Sequence, residues 1–289
     1  MKTEVDLTIS RSVEPETSVL YIVGTPIGNL NDISIRSTNI LAKVSFIACE
    51  DTRHTKKMLN ALKIKNKLIS FNEYNAEAKT KFIIDQLKSR MSVALVSDAG
   101  MPLISDPGQY LVKEVRQKNI DVVCSPGPCA ALTGLVSSGL VSNHFLFVGF
   151  IPRKKIGRQK CLKMIANNPN SSIIYESPKR IKSLLRELKE ICGEKRVIHV
   201  AKELTKKHEQ HWQDSIHNIS KLLDATEPKG EYTIILEGKK LDDKNDLEKY
   251  IMLKSDLDNL IKLGLKRSSA ASYLASKNGL SKNIIYNLR

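Results

Sequence analysis

At 289 residues, with 41% hydrophobic and 27% charged residues, the chain can bury two compact domains and has a globular composition. Its strongest apolar run near mid-chain, Phe145 to Ile151, is too short to span a membrane, and the polar Met1 to Ser18 lacks a signal-peptide core, so a cytoplasmic protein without membrane contact is expected. Lys and Arg number 46 against 31 Asp and Glu, and +9 of the net +15 falls between residues 151 and 240, a clustering that suits a polyanionic partner better than plain solubility does.

Met1 to Ser18 is expected as a disordered leader, followed by an N-terminal α/β domain over 19–142. Strands are predicted at Leu20–Gly24, Val44–Cys49, Leu68–Phe71, Val93–Ser97 and Ile120–Cys124, with helical patterns such as Thr80–Arg90 in most gaps. Short apolar runs alternating with helices predict a mostly parallel sheet covered on both faces. Three strands end in loops rich in Gly and Pro: Gly24 to Leu30, Asp98 to Gly108, and Ser125 to Ala130. One such loop is an ordinary turn. Three in one parallel sheet imply a crevice at the carboxyl ends of the strands, where open α/β sheets hold ligands. None of the loops reads GxxxxGK[ST] or GxGxxG, which disfavours a nucleotide triphosphatase or a dehydrogenase. Asp98 and Asp106 suit hydroxyls or positive charge better than phosphate; the competing reading is a tight strand-to-helix turn with Asp106 as N-cap. Ala130 to Gly139, rich in Ala, Gly and Ser, predicts a helix that packs closely.

From Asn143 a second α/β domain is expected over 143–239, with strands at Phe145–Phe150, Ser172–Tyr175, Arg196–Val200 and Tyr232–Glu237 and helices at Arg158–Asn167, Arg180–Ile191 and Ile216–Leu223. A charged linker, Lys240 to Glu248, then leads to a helical tail within 240–289, read as a docking hairpin or a DNA-reading helix-turn-helix unit. Of five cysteines, Cys49, Cys124 and Cys192 sit in apolar contexts and read as core residues, and the absence of CxxC pairs fits a reducing compartment. His208 and His211 form a poor metal signature, so no metal is expected.

The segments LYIVGTPIGNLNDIS, ACEDTRHT, VALVSDAGMPLISDPG, SPGPCAA, YESPKR, AKELTKKHE and KGEY occur in that order. As a set they closely resemble the ribosomal RNA small subunit methyltransferase I family of the tetrapyrrole methylase superfamily, over about Val19 to Gly238. The resemblance implies two α/β domains of the tetrapyrrole methylase type with a cofactor cleft between them, a homodimer, and S-adenosylmethionine-dependent methylation of a cytidine ribose 2′-hydroxyl in 16S ribosomal RNA, with the 30S subunit as partner. Two positions depart from the family pattern. Met101 stands where Thr is usual and Cys129 where Ser is usual, so contacts there fall to the backbone.

Methyl transfer to a ribose hydroxyl is mainly alignment plus removal of one proton, and requires neither metal nor covalent intermediate. Asp98, at the start of the central loop, is the leading polar anchor for the cofactor. Gly100 and Met101 would line the same wall, Ile27 and Gly28 add a surface from the first loop, and Cys129 and Ala130 from the third. In the second domain Tyr175, Glu176, Ala201 and Gly230 match places where the family binds cofactor; for Tyr175 core packing is the competing reading. Asp51, Arg53 and Glu203 are the candidate catalytic residues, with Glu50 an alternative to Asp51. The competing reading makes Asp51 a helix cap, Arg53 a solvated side chain and Glu203 an exposed helix-entry acid. Two acid-free basic stretches, 52–72 and 151–175, frame an RNA path. Arg53, Arg153, Lys154, Lys155 and Arg158 are its expected contacts, with Lys179 and Arg180 either holding phosphate or beginning a solvated helix. A small-tetrapyrrole methylase leaves the basic loops without purpose, and a non-enzymatic nucleic-acid binder leaves the three Gly/Pro loops without purpose.

Overall fold

The computed structural model describes residues 14–140, 143–240 and 245–288, in two compact units, residues 1–238 and 239–289. The first unit holds two five-stranded sheets. The first sheet is built from β1 (Val19–Val23), β2 (Phe46–Cys49), β3 (Leu68–Ser70), β4 (Val93–Val96) and β5 (Asp121–Ser125), all parallel, in the order β3-β2-β4-β1-β5. The alternation of side chains sorts its strands into two cores. Val19, Tyr21, Val23, Ile47 and Val96 face α1 (Ile35–Lys43) and α2 (Thr52–Ala61), while Leu20, Ile22, Phe46, Ala48 and Leu95 face α3 (Ala76–Lys88) and α4 (Gln109–Gln117). The mostly parallel, doubly covered sheet expected from the sequence is what forms.

Strand order fixes where a ligand can sit. The chain leaves β1 toward β2 on one side, and leaves β4 across β1 to β5 on the other. The connections therefore diverge between β1 and β4, and their carboxyl ends open a crevice there. Glu14 to Ser18, expected in the leader, are instead tied down: Glu14 forms a bidentate ion pair with Arg36 at 2.7 Å, and the Glu16 N–H donates to the Tyr21 hydroxyl at 2.8 Å. The rest of the expected leader lies outside the described residues. Cys49 is buried, but Cys124 is exposed, because β5 is the sheet edge rather than core.

The second sheet comprises β6 (Phe145–Phe150), β7 (Ser171–Glu176), β8 (Val197–Lys202), β9 (Gln210–Ser215) and β10 (Tyr232–Leu236) in the order β6-β7-β10-β8-β9. Only β6 and β7 run parallel. β9 is not among the expected strands, because QHWQDS is a polar edge strand with no apolar run to mark it. One face packs on α6 (Lys155–Asn167), α7 (Ile181–Cys192) and α8 (Ile216–Asp224) around Ile174, Ile198, Val200 and Ile234. The other receives α5 (Ala130–Ser138), the helix that follows β5 of the first sheet. Its small residues serve that contact, as a Cβ on Gly134 would lie 2.7 Å from Thr233 Cγ2 of β10. The expected close-packing helix is thus the strut between the two sheets.

The second unit holds α9 (Asn245–Lys262), α10 (Arg267–Asn278) and α11 (Lys282–Tyr286) around its own core of Leu253, Leu257, Ala271, Leu274 and Ile285. The linker expected to Glu248 ends earlier, since α9 begins at Asn245, and residues 241–244 lie outside the described residues. Gly279 ends α10 in the left-handed conformation, as its position predicts.

Candidate active site

The three Gly/Pro loops form one wall. Thr25 and Gly100 exchange backbone hydrogen bonds of 2.9 and 3.1 Å, joining the first loop to the second. The third meets the first at two glycines: a Cβ on Gly127 would stand 2.7 Å from Gly24 Cα. The backbone of the central loop is strained, with Leu103 at φ +72° and Ser105 at φ +66°. Non-glycine residues hold the left-handed region only where surroundings impose it, and such residues cluster at ligand sites. Asp106 does not cap α4; Gly108 occupies that position, at φ +133°. Asp106 is thereby left to face the crevice.

Between this wall and the second sheet lies a cavity of about 490 Å³. Eight residues expected at the cofactor line it: Ile27, Asp98, Gly100, Met101, Cys129, Ala130, Tyr175 and Glu176. Three stand behind it. Gly28 packs on the 204–206 turn, where a Cβ would meet Lys206 Cγ at 2.4 Å. Ala201 pairs with Thr233 across the β8–β10 ladder and so backs a lining residue. Gly230, at φ +81°, makes room for Glu203, whose Cδ would be 2.5 Å from a Cβ there.

Ser105, Phe150, Ser177, Pro178, Tyr232 and Thr233, which are not among the expected site residues, also line the cavity. Ser105, Ser177, Pro178 and Tyr232 lie within the segments VALVSDAGMPLISDPG, YESPKR and KGEY that carry the resemblance, and that is the available signal. Asp106 also lines it. Burial pushes its carboxyl up to about 6, with the charge of Asp98 adding to the effect against a hydrogen bond from Ser97. Burial likewise pushes the Tyr175 phenol up, helped by Cys129. The lining includes Asp98, Asp106, Glu176 and Glu231 and, among the described residues, no Lys, Arg or His. Arg180 and Lys206, outside the lining, offset Glu176 and Glu231, so Asp98 and Asp106 are the carboxylates that favour a cationic, partly apolar ligand over phosphate.

The candidate catalytic residues stand outside the lining. Asp51 caps α2, accepts from the Arg53 backbone N–H at 2.8 Å and pairs with the Arg53 guanidinium at 2.7 Å. These bonds hold its carboxyl well below the usual range and make it a poor base. It still touches the site, because its N–H donates to Asp98 Oδ1 at 3.1 Å. Arg53 itself is exposed. Burial and the neighbouring Asp98 and Asp106 push Glu50 up. Glu203 accepts from Lys206 Nζ at 2.8 Å and from the Glu231 N–H at 2.9 Å. Burial opposes its ionisation, but these donors outweigh it and hold Glu203 below its usual range. Glu203 therefore closes a clasp between the 203–206 turn and residues 230–231.

The expected RNA contacts separate in the same way. Arg153, Lys154 and Lys155 are exposed at the start of α6, and Lys179 is exposed after β7. Arg158 is instead paired with Glu187 of α7 in a bidentate contact of 2.8–3.1 Å. Arg180 lies 3.0 Å from Glu176 and donates to the Ile151 carbonyl at 2.6 Å, bracing the ends of β6 and β7. Both are structural ion pairs: Glu187 lies 29 residues from Arg158, on the neighbouring helix, and Glu176 lies four residues before Arg180, at the end of β7, where only the turn between them brings the two side chains together. No group of three His, Cys, Asp or Glu side chains among the described residues is arranged to hold a metal. No described helix is long and apolar enough to cross a membrane.

Comparison with known proteins agrees with this architecture. A family model described as tetrapyrrole (corrin/porphyrin) methylases matches residues 19–220. Proteins named ribosomal RNA small subunit methyltransferase I are similar along most or nearly all of their length. That of Synechocystis is 38% identical over 93% of this chain and 96% of its own, and that of Haemophilus influenzae is 40% identical over 93% and 95%. Among solved structures, uroporphyrin-III C-methyl transferase of Thermus thermophilus, complexed with S-adenyl homocysteine, superposes with a TM-score of 0.54 at 14% identity, over 75% of this chain and 96% of that one. With two α/β sheets braced by α5, a cleft at their strand ends and identity sustained over nearly the full chain, the protein belongs to the tetrapyrrole methylase family and, within it, to the ribosomal RNA small subunit methyltransferase I family.

Proposed function

We propose that the protein is an S-adenosylmethionine-dependent methyltransferase that modifies the ribose 2′-hydroxyl of a cytidine in 16S ribosomal RNA. The observation that carries this is the cavity, which is of small-molecule size, lined by carboxylates without a basic side chain, and flanked by exposed lysines and arginines. An acidic interior fits a sulfonium, and a basic exterior fits the RNA backbone. The relatives, whose names state ribosomal RNA small subunit methylation, support the same substrate class.

Bound in this cavity, S-adenosylmethionine supplies an activated methyl group. The residues that would hold it are Asp98, the backbone of Gly100 and Met101, and the start of α5 at Cys129 and Ala130. The chain's part in the reaction is to align the ribose oxygen and to take up its proton. Asp106 is the base for that task, because a carboxyl near 6 is ionised at neutral pH and is more basic than an ordinary aspartate. Arg53 and Asp51, side by side outside the cavity, suit capture of the incoming strand through the Arg53 fork. Glu203 acts on the site through the position of Glu231. The 30S subunit as substrate, a homodimer and a cytoplasmic location complete the proposal; the exposed Leu132 and Val136 on α5 support the dimer.

Replacing Asp98 by Ala should weaken S-adenosylhomocysteine binding, read by calorimetry, by about 1–3 kcal/mol, since the Asp51 N–H also loses its acceptor. Asn, which keeps an acceptor, should lose less. Equal affinity for all three proteins removes Asp98 from the cofactor wall. Neutralising Arg153, Lys154 and Lys155 together should weaken RNA binding and flatten its salt dependence, by a slope of roughly 0.7–0.9 for each phosphate that is no longer neutralised. Adding Arg158 to that set should also cost stability, because its pair with Glu187 breaks. An unaltered slope rules out the 153–155 segment as a backbone grip.

A further inference from the structure

We infer that Phe150 is a stacking platform for an unstacked base of the RNA strand, turned toward the cavity by a bulge in β6. The inference rests on the RNA reading above and adds a base-binding subsite to it.

The register of β6 against β7 sets the direction of the ring. Phe147 pairs with Ile173, but the next pairs are Gly149 with Ile174 and Phe150 with Tyr175, so Val148 is an extra residue. Along a regular strand Phe150, three residues past Phe147, would point to the opposite face of the sheet, into the core with Ile174. The extra residue returns it to the side of Phe147 and Tyr175. Both rings make T-shaped contacts with Tyr175, Phe147 at 5.4 Å and Phe150 at 5.7 Å between centroids. The bulge also needs Gly149 at φ +66°, and a Cβ there would strike Ser105 Oγ at 2.7 Å, so the same irregularity seats the central loop beside the ring.

The ring is held but not covered. Phe150 is 55% exposed, whereas Glu176, Tyr232 and Thr233 of the same lining are at most 5% exposed. Ile104, from the central loop, is the other exposed large apolar side chain of the lining. An aromatic ring left largely in water at a cavity rim and steadied by a T-shaped contact with a neighbouring ring is a platform on which an unpaired base can stack. Charge selects the occupant. Arg153 follows three residues on, within about 11 Å of extended chain, and opens the exposed triplet Arg153, Lys154 and Lys155 in a stretch without acid from 151 to 175. A base on Phe150 thus has cations within reach of its flanking phosphates.

The test uses the full-length protein with labelled S-adenosylmethionine, on 30S subunits and on free ribosomal RNA, together with calorimetry of S-adenosylhomocysteine. Phe150→Ala and Phe150→Leu should lower kcat/KM for the RNA about 10- to 100-fold with cofactor affinity and melting temperature unchanged. Phe150→Trp and Phe150→Tyr should stay close to wild type. Full activity of the Leu variant overturns the inference, because the ring would then be only an apolar surface. A parallel fall in S-adenosylhomocysteine affinity overturns it by giving the ring to the cofactor. Loss on 30S subunits but not on free RNA overturns it by giving the ring to a ribosomal protein. A wild-type protein that binds S-adenosylhomocysteine yet methylates no RNA fails the RNA reading itself, and that failure is visible before any variant is compared.

Discussion

Replacing Asp106 by Asn should slow single-turnover methyl transfer about 10²- to 10⁴-fold at pH 8, the range for losing a positioned general base, while cofactor binding persists. In the wild type the rate should rise with pH through about 6, where burial and Asp98 place the Asp106 carboxyl, and the variant should lose that limb. The same substitution should affect stability in the opposite direction. The folded-state pKa of Asp106 lies above its unfolded value, so the protonated form is the one the fold favours. The contribution of Asp106 to stability is therefore fullest below about pH 4 and is lost as pH rises through about 6. Asn never ionises, so at pH 8 the variant should be more stable than wild type, by about 1–2 kcal/mol once solvent screening of a half-buried group is allowed for. Slower transfer with higher stability is the pattern of a carboxylate kept for chemistry. Full activity of the variant across the pH range removes Asp106 from the mechanism.

Gly127→Ala should be the most damaging single methyl group in the crevice wall. Its Cβ would meet the Gly24 backbone at three atoms, at 2.7, 2.9 and 3.0 Å, and Gly24 directly continues β1. No side chain can turn aside to relieve the clash, so the two loops must separate. We expect a loss of roughly 1–3 kcal/mol in urea denaturation and a cofactor affinity reduced with it, because both loops line one wall. Gly157→Ala is the control, since its Cβ would find only Pro152 at an ordinary 3.5 Å, on helix α6. It should leave stability unchanged or slightly raised. Equal behaviour of the two variants means that the loops are not packed as closely as the two glycines require.

The first sheet was legible because its strands are short, apolar and separated by amphipathic helices, and the three Gly/Pro loops marked their carboxyl ends before any contact was known. Eight of the residues expected at the cofactor line one cavity for the same reason: position at a strand end is a local property. What escaped was set by pairing. β9 has no apolar run, being an edge strand. Arg158 and Arg180 read as free cations until Glu187 and Glu176 were brought beside them. For Asp106 ligand contact and a helix cap stay open in the sequence, because Gly108, at φ +133°, takes the cap position through backbone geometry alone. The direction of Phe150 depends on one unpaired residue, Val148, which no periodicity reveals.

The proposed methylation of a cytidine 2′-hydroxyl in small-subunit RNA is tested most directly by transfer of labelled methyl from S-adenosylmethionine to unmethylated 30S subunits and free 16S RNA, followed by alkaline hydrolysis. A 2′-O-methyl group blocks cleavage of the adjoining phosphodiester, so the account predicts label in a single alkali-resistant dinucleotide that begins with cytidine. Label in a mononucleotide places the methyl on a base, and label only in a small tetrapyrrole offered as competitor places the substrate elsewhere; either result contradicts the account.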